Sequence, residues 1–358
     1  MKKIISSFVL LLAVILILLN KGVFTSDKEL STSDFVKGMG VGWNLGNSLD
    51  VGAKDKTDWG NPLPTKALID SICAKGFKTL RVPVTWQFNL SSAPEYRIEK
   101  DYLDMVEEVV NYALDNDMYV IVNIHHDEQL IIPTYTKYDE SAKVVSAIWS
   151  QVSERFKDYD DKLIFETLNE MRVKGSPEEW QGGTAEGRDC LNKFHAEALK
   201  IIRNSGGNNA SRKVMLSTYA ASCNPDAQRE LVIPDDENII VSLHNYYPYD
   251  FCMKKSHVDA KWGSDDDKAS LDAEFDRINE IFISKGIPVI MGEWGCFHKN
   301  DMNSRIAHAK YYVKACLDLG ICPVVWDNGV FSEYGLINRH KVEWVYPEVA
   351  DAIVEMTK

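Results

Sequence analysis

The sequence predicts a single (β/α)8 barrel. Two observations carry this reading: short β-branched or apolar runs alternate with segments of helical period, and eight such runs can be counted along the chain. A third excludes the main competitor, because no Gly-x-Gly-x-x-Gly follows any run, as an open nucleotide-binding sheet would require. No Pro/Ser/Thr-rich linker, charge block or low-complexity tract divides the 358 residues beyond a polar stretch at 26–34, and α/β barrels often use such a length as one domain.

In chain order the strand candidates are Met39 to Leu45, Thr79 to Val84, Tyr119 to Ile124, Leu163 to Leu168, Val214 to Thr218, Ile239 to Leu243, Pro288 to Met291 and Pro323 to Trp326. Between them, Tyr102, Val106, Val109 and Ala113 recur at spacings of three and four, which gives a helix one apolar face. Ser304 to Leu319 reads the same way and is closed by Gly320.

Ahead of the barrel, Lys2 and Lys3 precede an unbroken apolar run from Phe8 to Leu19, the charged and apolar regions of a secretory signal. That run is short for a membrane span. Residues 1–25 are therefore expected to be a signal peptide and 26–358 the folded domain of a secreted protein. Val23-Phe24-Thr25 makes a poor cleavage site, so an uncleaved anchor at the cell surface stands as the alternative.

A formal charge of -13 argues against nucleic acid or an anionic membrane as partner, and a neutral substrate fits better. The 9 Trp and 15 Tyr supply flat surfaces on which sugar rings stack. Seven scattered cysteines without a Cys-x-x-Cys pair give no zinc spacing and are expected as buried thiols. Asn89-Leu90-Ser91 and Asn209-Ala210-Ser211 are glycosylation sequons.

In a barrel, functional residues gather at the C-terminal ends of the strands. Here those ends carry Asn44 and Asn47, then Arg81, then Asn123, His125 and His126, then Asn169 and Glu170. Farther along they carry His244 and Tyr246, then Glu293, then Trp326, Asp327 and Asn328. Stability alone explains such a ring poorly. Two carboxylates, Glu170 and Glu293, would meet across the mouth, and acetal hydrolysis needs such a pair: one protonated to release the leaving oxygen, one ionised to attack or to activate water. Glu166, four residues before Glu170, should point into the interior as an ion-pair partner. The run His125-His126-Asp127 raises a metal site as a rival, but adjacent strand residues face opposite sides, so both imidazoles are not expected on one ion.

At these residues the sequence resembles glycoside hydrolase family 5, and most closely its subfamily 4 of endo-β-1,4-glucanases and xyloglucanases. The matching stretches are GWNLGNSLD from Gly42, WGNP from Trp59, FKTLRVPVTW from Phe77, VNIHHD from Val122, LIFETLNE from Leu163, SLHNYYPY from Ser242, GEWG from Gly292 and WDNG from Trp326, in family order. The resemblance implies a barrel, retention of anomeric configuration, and no metal or organic cofactor. It implies Glu170 as acid/base, Glu293 as nucleophile, Asn169 on the substrate 2-hydroxyl, and Arg81 and Tyr246 keeping Glu293 ionised. His244 would lie near Glu170, whose pKa is expected to be raised by the charge of Glu293 and by burial. Trp326 would be the sugar platform and His125 and His126 the glycone wall; Asn47 and Trp59 join the binding set, and Trp59 and Trp86 are weaker platform candidates. Three residues depart from the family pattern: Met171 after Glu170, Trp294 after Glu293, and Val325 before Trp326. The expected activity is an endo-β-1,4-glucanase acting as a monomer on cellulose-like polymers, mixed-linkage β-glucan or xyloglucan. A xylanase or mannanase on the same scaffold, and a non-catalytic carbohydrate-binding barrel, are the alternatives.

Overall fold

The computed structural model describes residues 30–358, so the expected signal at 1–25 lies outside the described residues. Residues 32–358 form one compact unit. Eight parallel strands close in sequence order: β1 Gly42–Leu45, β2 Thr79–Val82, β3 Tyr119–Asn123, β4 Leu163–Glu166, β5 Val214–Ser222, β6 Ile239–His244, β7 Val289–Trp294 and β8 Cys322–Asp327. β8 returns to pair with β1, Gly42 opposite Val324.

Helices fill the connections. Lys100–Leu114 buries Tyr102, Val106, Val109 and Ala113 as the spacing predicts. Met302–Asp318 starts on an Asp301 cap that accepts from the N–H groups of Asn303 and Ser304, and Gly320 takes a φ of 72° just past its end. Trp149 on Tyr138–Phe156 packs on Phe165 of β4 and donates its indole N–H to the Thr167 carbonyl at 3.0 Å.

Every strand differs from its expected bounds by one to four residues, and the shifts in β1, β2, β5 and β7 have a visible cause. Met39 is not in β1: with Phe35 and Val36 of the helix Thr32–Gly38 it plugs the barrel floor beneath Ile121, Ile164, Ile240 and Ile290. β2 stops at Val82, because the backbone N–H of Val84 is taken by the Asn123 side chain at 3.0 Å. β5 runs on to Ser222 and β7 to Trp294, each through a register shift at its C-terminal end. Periodicity cannot show a bulge, and here bulges re-aim the strand tips.

Both sequons are unsuited to a glycan in the folded state, since Asn89 and Asn209 are buried and the Asn209 amide donates to the Ser153 carbonyl at 2.8 Å. All seven cysteines are free, Cys73 and Cys223 half-buried and the others buried. Among the described residues no helix is long and apolar enough to cross a membrane.

Candidate active site

Side chains two residues apart on a strand share a face, and the barrel interior follows that rule layer by layer. Above the apolar floor of Ile121, Ile164, Ile240 and Val324 come Asn123, Glu166, Ser242 and Trp326, two residues farther along the same strands, and Asn44 on β1 pairs with both Trp326 and Arg81. The polar layer is therefore the strand period carried one step toward the mouth.

Arg81 is its hub and is fully buried. Its Nε donates to Glu166 at 2.9 Å, Nη2 to Asn169 Oδ1 at 2.6 Å, and Nη1 to Asn44 Oδ1 at 2.9 Å and Glu293 Oε1 at 2.8 Å. Burial opposes its charge, but Glu166 and Glu293 override that and hold its pKa above the usual arginine value. Glu166 also accepts from Asn123 at 2.8 Å and Ser242 at 2.5 Å, which makes it the interior ion-pair partner expected.

The β6–β7 register shift makes His244 and Glu293 lateral partners at the mouth. Gly292 matters to this contact, since a Cβ there would lie 3.1 Å from His244 Nε2. Glu293 Oε2 accepts from the Tyr246 hydroxyl at 2.8 Å, and burial first, then the Glu293 charge, lifts that tyrosine well above its ordinary pKa. His244 Nδ1 lies 2.7 Å from Glu170 Oε1 and 3.7 Å from Glu293 Oε2, bridging the carboxylates. One oxygen of each carboxylate lies within 4.8 Å of the other.

The expected upward shift of Glu170 is not found. Burial pushes in that direction, but the His244 hydrogen bond and the charges of His244, Arg172 and His126 outweigh it, leaving Glu170 below the ordinary carboxylate value. Weighing only Glu293 and burial gave no weight to His244, although it was expected beside Glu170, and missed Arg172 and His126.

His125 is buried and His126 half-exposed, with their rings 4.4 Å apart. β3 ends at Asn123, so strand alternation no longer applies to them, and the expected divergence of the two imidazoles is corrected. Asn123 Nδ2 lies 3.1 Å from His125 Nδ1, while its Oδ1 is fixed by the Val84 N–H. The neutral ring therefore carries its proton on Nε2. Burial, then the His126 and Arg81 charges, keeps His125 well below its ordinary pKa. Asp50, His125 and His126 each bring a ligand-type atom within 4.8 Å of the others, as do Glu170, His244 and Glu293. Asp50 already accepts the Ser48 and Asn47 N–H groups, at 2.7 and 3.0 Å.

Trp326 lies parallel to the His125 ring, 2° between planes and 6.0 Å between centroids. Its seat requires Gly46, where a Cβ would come within 2.5 Å of the indole. Trp59 is 42% exposed and lies 6.1 Å from the His126 ring, so it joins the same wall. Asn47 sits at the mouth in a left-handed conformation, φ 52°, its carbonyl accepting from Asn61 at 2.9 Å. Trp86 is no platform: it is buried, edge-on to Tyr102, and donates to the Asn123 carbonyl at 2.9 Å.

A family model for cellulases, glycosyl hydrolase family 5, matches residues 39–332. The chain belongs to this family. The cellulase/esterase CelE of Acetivibrio thermocellus is 46% identical over 341 residues, which take in 94% of this chain and 42% of CelE, so the chain spans less than half of that relative. A solved structure of ZgEngAGH5_4 in complex with a cellotriose is 52% identical at a TM-score of 0.89, covering 91% of this chain and 99% of that one. The GH5-4 broad specificity endoglucanase from Clostridium acetobutylicum is 46% identical at 0.88, covering 91% and 100%.

Within this family 5 domain, the departures are accommodated by packing. Trp294 stacks on Tyr312 at 4.6 Å and 10°, Val325 is buried beside it, and Met171 is fully buried. Sequence reasoning missed Glu128, Arg172 and Trp180. Arg172 and Glu128 are buried against each other, and Trp180, 55% exposed, takes the Arg172 guanidinium over its ring at 4.2 Å. The available signal was slight: an arginine two residues after Glu170, in a loop whose charges read as solvated surface.

Proposed function

We propose that the chain is a retaining endo-β-1,4-glucanase acting on cellulose-like polymers, mixed-linkage β-glucan or xyloglucan. The observation that carries this is the carboxylate pair: oxygens within 4.8 Å, one partner on Arg81 and Tyr246, the other on His244. Retaining hydrolases hold their carboxyl groups roughly 5 to 5.5 Å apart, whereas inverting ones leave room for water at about 6.5 Å or more. The endo-glucanase reading is also supported by the solved relatives, one named a broad specificity endoglucanase and one binding cellotriose.

In this mechanism a Glu293 oxygen attacks the anomeric carbon while Glu170 gives its proton to the departing glycosidic oxygen. The C1–O bond breaks and a glycosyl ester of Glu293 forms. Water then attacks C1, Glu170 takes a proton from it, and Glu293 leaves as carboxylate. The Glu170 carboxyl lies 2.7 Å from His244 Nδ1, and exclusion of water by bound substrate favours its neutral, proton-donating form. Arg81 fixes Asn169 Oδ1, so Nδ2 is the end that donates to the 2-hydroxyl. Trp326 and His125 bound the sugar at the cleavage point, with Trp59, His126 and Asn47 beyond them.

A polymer of this kind is met outside the cell, which fits export through residues 1–25. A panel of β-glucans, xylan and mannan with product analysis tests the proposal. Glu170→Gln and Glu293→Gln should each lose β-glucan hydrolysis by about a hundredfold or more. Wild-type rates in both variants would refute the assignment, and cleavage confined to xylan or mannan would replace the substrate class.

A further inference from the structure

We propose that Arg172, clamped by Glu128, is a positioning residue for Glu170, and that the two together set the charge against which Glu170 holds its proton. This rests on the reading of Glu170 as acid/base and extends it to a pair of residues outside the strand tips.

Arg172 Nη1 donates to the backbone carbonyl of Glu170 at 2.8 Å and lies 4.0 Å from its Oε2. The same nitrogen donates to Glu128 at 2.9 Å, Nε donates to Glu179 at 3.0 Å, and the guanidinium face lies on Trp180. A guanidinium held by two carboxylates and an aromatic face has little rotational freedom, so it pins the main chain of the residue it touches.

Glu128 is the anchor. Its side chain is 1% exposed and gathers Arg172, Lys174 at 3.3 Å and His126 at 3.5 Å. Burial raises its pKa, but the His126 hydrogen bond and the cations override this and hold it down to about 2. A carboxylate so anchored stays charged throughout the working pH range. It therefore offsets the Arg172 and His126 charges that face Glu170 from the loops after β4 and β3. From the tip of β6 and the loop after it, His244 and Tyr246 face the same carboxyl, and from β7, Glu293 does. Arg172 and Glu128 are the pair that can be altered without removing a side chain that itself meets the reacting atoms.

The signs are opposite for the two partners. Arg172→Gln removes a positive charge 4.0 Å from Oε2, so Glu170 keeps its proton to higher pH. The alkaline limb of kcat/KM, which reports the essential acid of the free enzyme, should move up by about one pH unit. Glu128→Gln leaves the cations uncompensated, and the limb should move down. Arg172→Lys keeps the charge but loses the fork, so the limb should stay near wild type while kcat falls.

The experiment is the pH dependence of kcat/KM on a soluble β-glucan for these three variants and Glu170→Gln, with urea unfolding alongside. Opposite displacements of the limb support the inference. Displacements in the same direction, or none, overturn it, because a purely structural lesion lowers the rate at every pH without moving the two limbs apart. If Arg172→Gln does not fold, the downward shift in Glu128→Gln and the unmoved limb in Arg172→Lys decide the matter. Wild-type hydrolysis by Glu170→Gln would instead overturn the acid/base reading itself, so the two failures are distinguishable.

Discussion

Replacing Gly46 by alanine should dislodge the sugar platform without removing a hydrogen-bonding group from the mouth. A Cβ at Gly46 would lie 2.5 Å from Trp326 Cζ2, 2.6 Å from Cη2 and 2.9 Å from the Asp327 carbonyl oxygen. Carbon contacts settle near 3.5 to 4.0 Å, so the indole must retreat by about 1 Å. The carbonyl cannot give way easily, since it accepts the Gly46 N–H at 3.1 Å and Arg339 Nη2 at 2.6 Å. Overpacking of this kind costs about 1–3 kcal/mol, and if most of it falls on the sugar-binding geometry, kcat/KM drops by about tenfold or more. The assay is steady-state hydrolysis of a soluble β-glucan by Gly46→Ala, Trp326→Ala and the double variant. Because the alanine acts through the indole, the double variant should be little worse than Trp326→Ala alone. Wild-type kinetics in Gly46→Ala, or full additivity in the double variant, would refute the reasoning.

Arg81→Met leaves Glu166 and Glu293 without their buried counter-charge, and urea unfolding should show a loss of about 3–5 kcal/mol that Glu166→Gln partly restores; a loss under about 1 kcal/mol contradicts the hub role. Asp127 accepts the Trp86 and Gln87 N–H groups, yet burial lifts its carboxyl from 3.8 to about 7. The folded protein then keeps a proton that the unfolded chain has lost, so this group's contribution falls as pH rises from about 4 to about 7. In a plot of melting temperature against pH, Asp127→Asn should flatten that segment, and an unchanged slope rejects the shift. Trp59→Ala should raise KM on long polymer with little effect on stability, whereas the fully buried Trp86 should cost about 3–5 kcal/mol when truncated to alanine; equal stability losses would erase the distinction drawn between them.

The barrel and its eight strands were legible because their apolar runs and the helical spacing between them are local signals. Arg81, Asn169, His244, Tyr246 and Glu293 were legible because strand ends in a barrel converge, whatever the details of register. What the sequence hid was set by contacts between loops. His125 and His126 come together because β3 stops at Asn123, a boundary that periodicity does not mark. Glu293 lies inside β7 rather than after it because the strand bulges, and a bulge leaves no pattern in residue type. The proton affinity of Glu170 depends on Arg172 and His126, charges from two different loops whose meeting only the fold reveals. Trp59 and Trp86 look alike in sequence and part company only in burial.

The central claim is that Glu293 forms a covalent glycosyl intermediate and Glu170 protonates the leaving oxygen, so that two inversions return the original configuration. Proton NMR of a β-glucan oligomer digest, followed from the first seconds before the anomers equilibrate, reads this directly. The account predicts that the β-anomer of the newly formed reducing end appears first and the α-anomer only by mutarotation; an α-anomer formed first would contradict it.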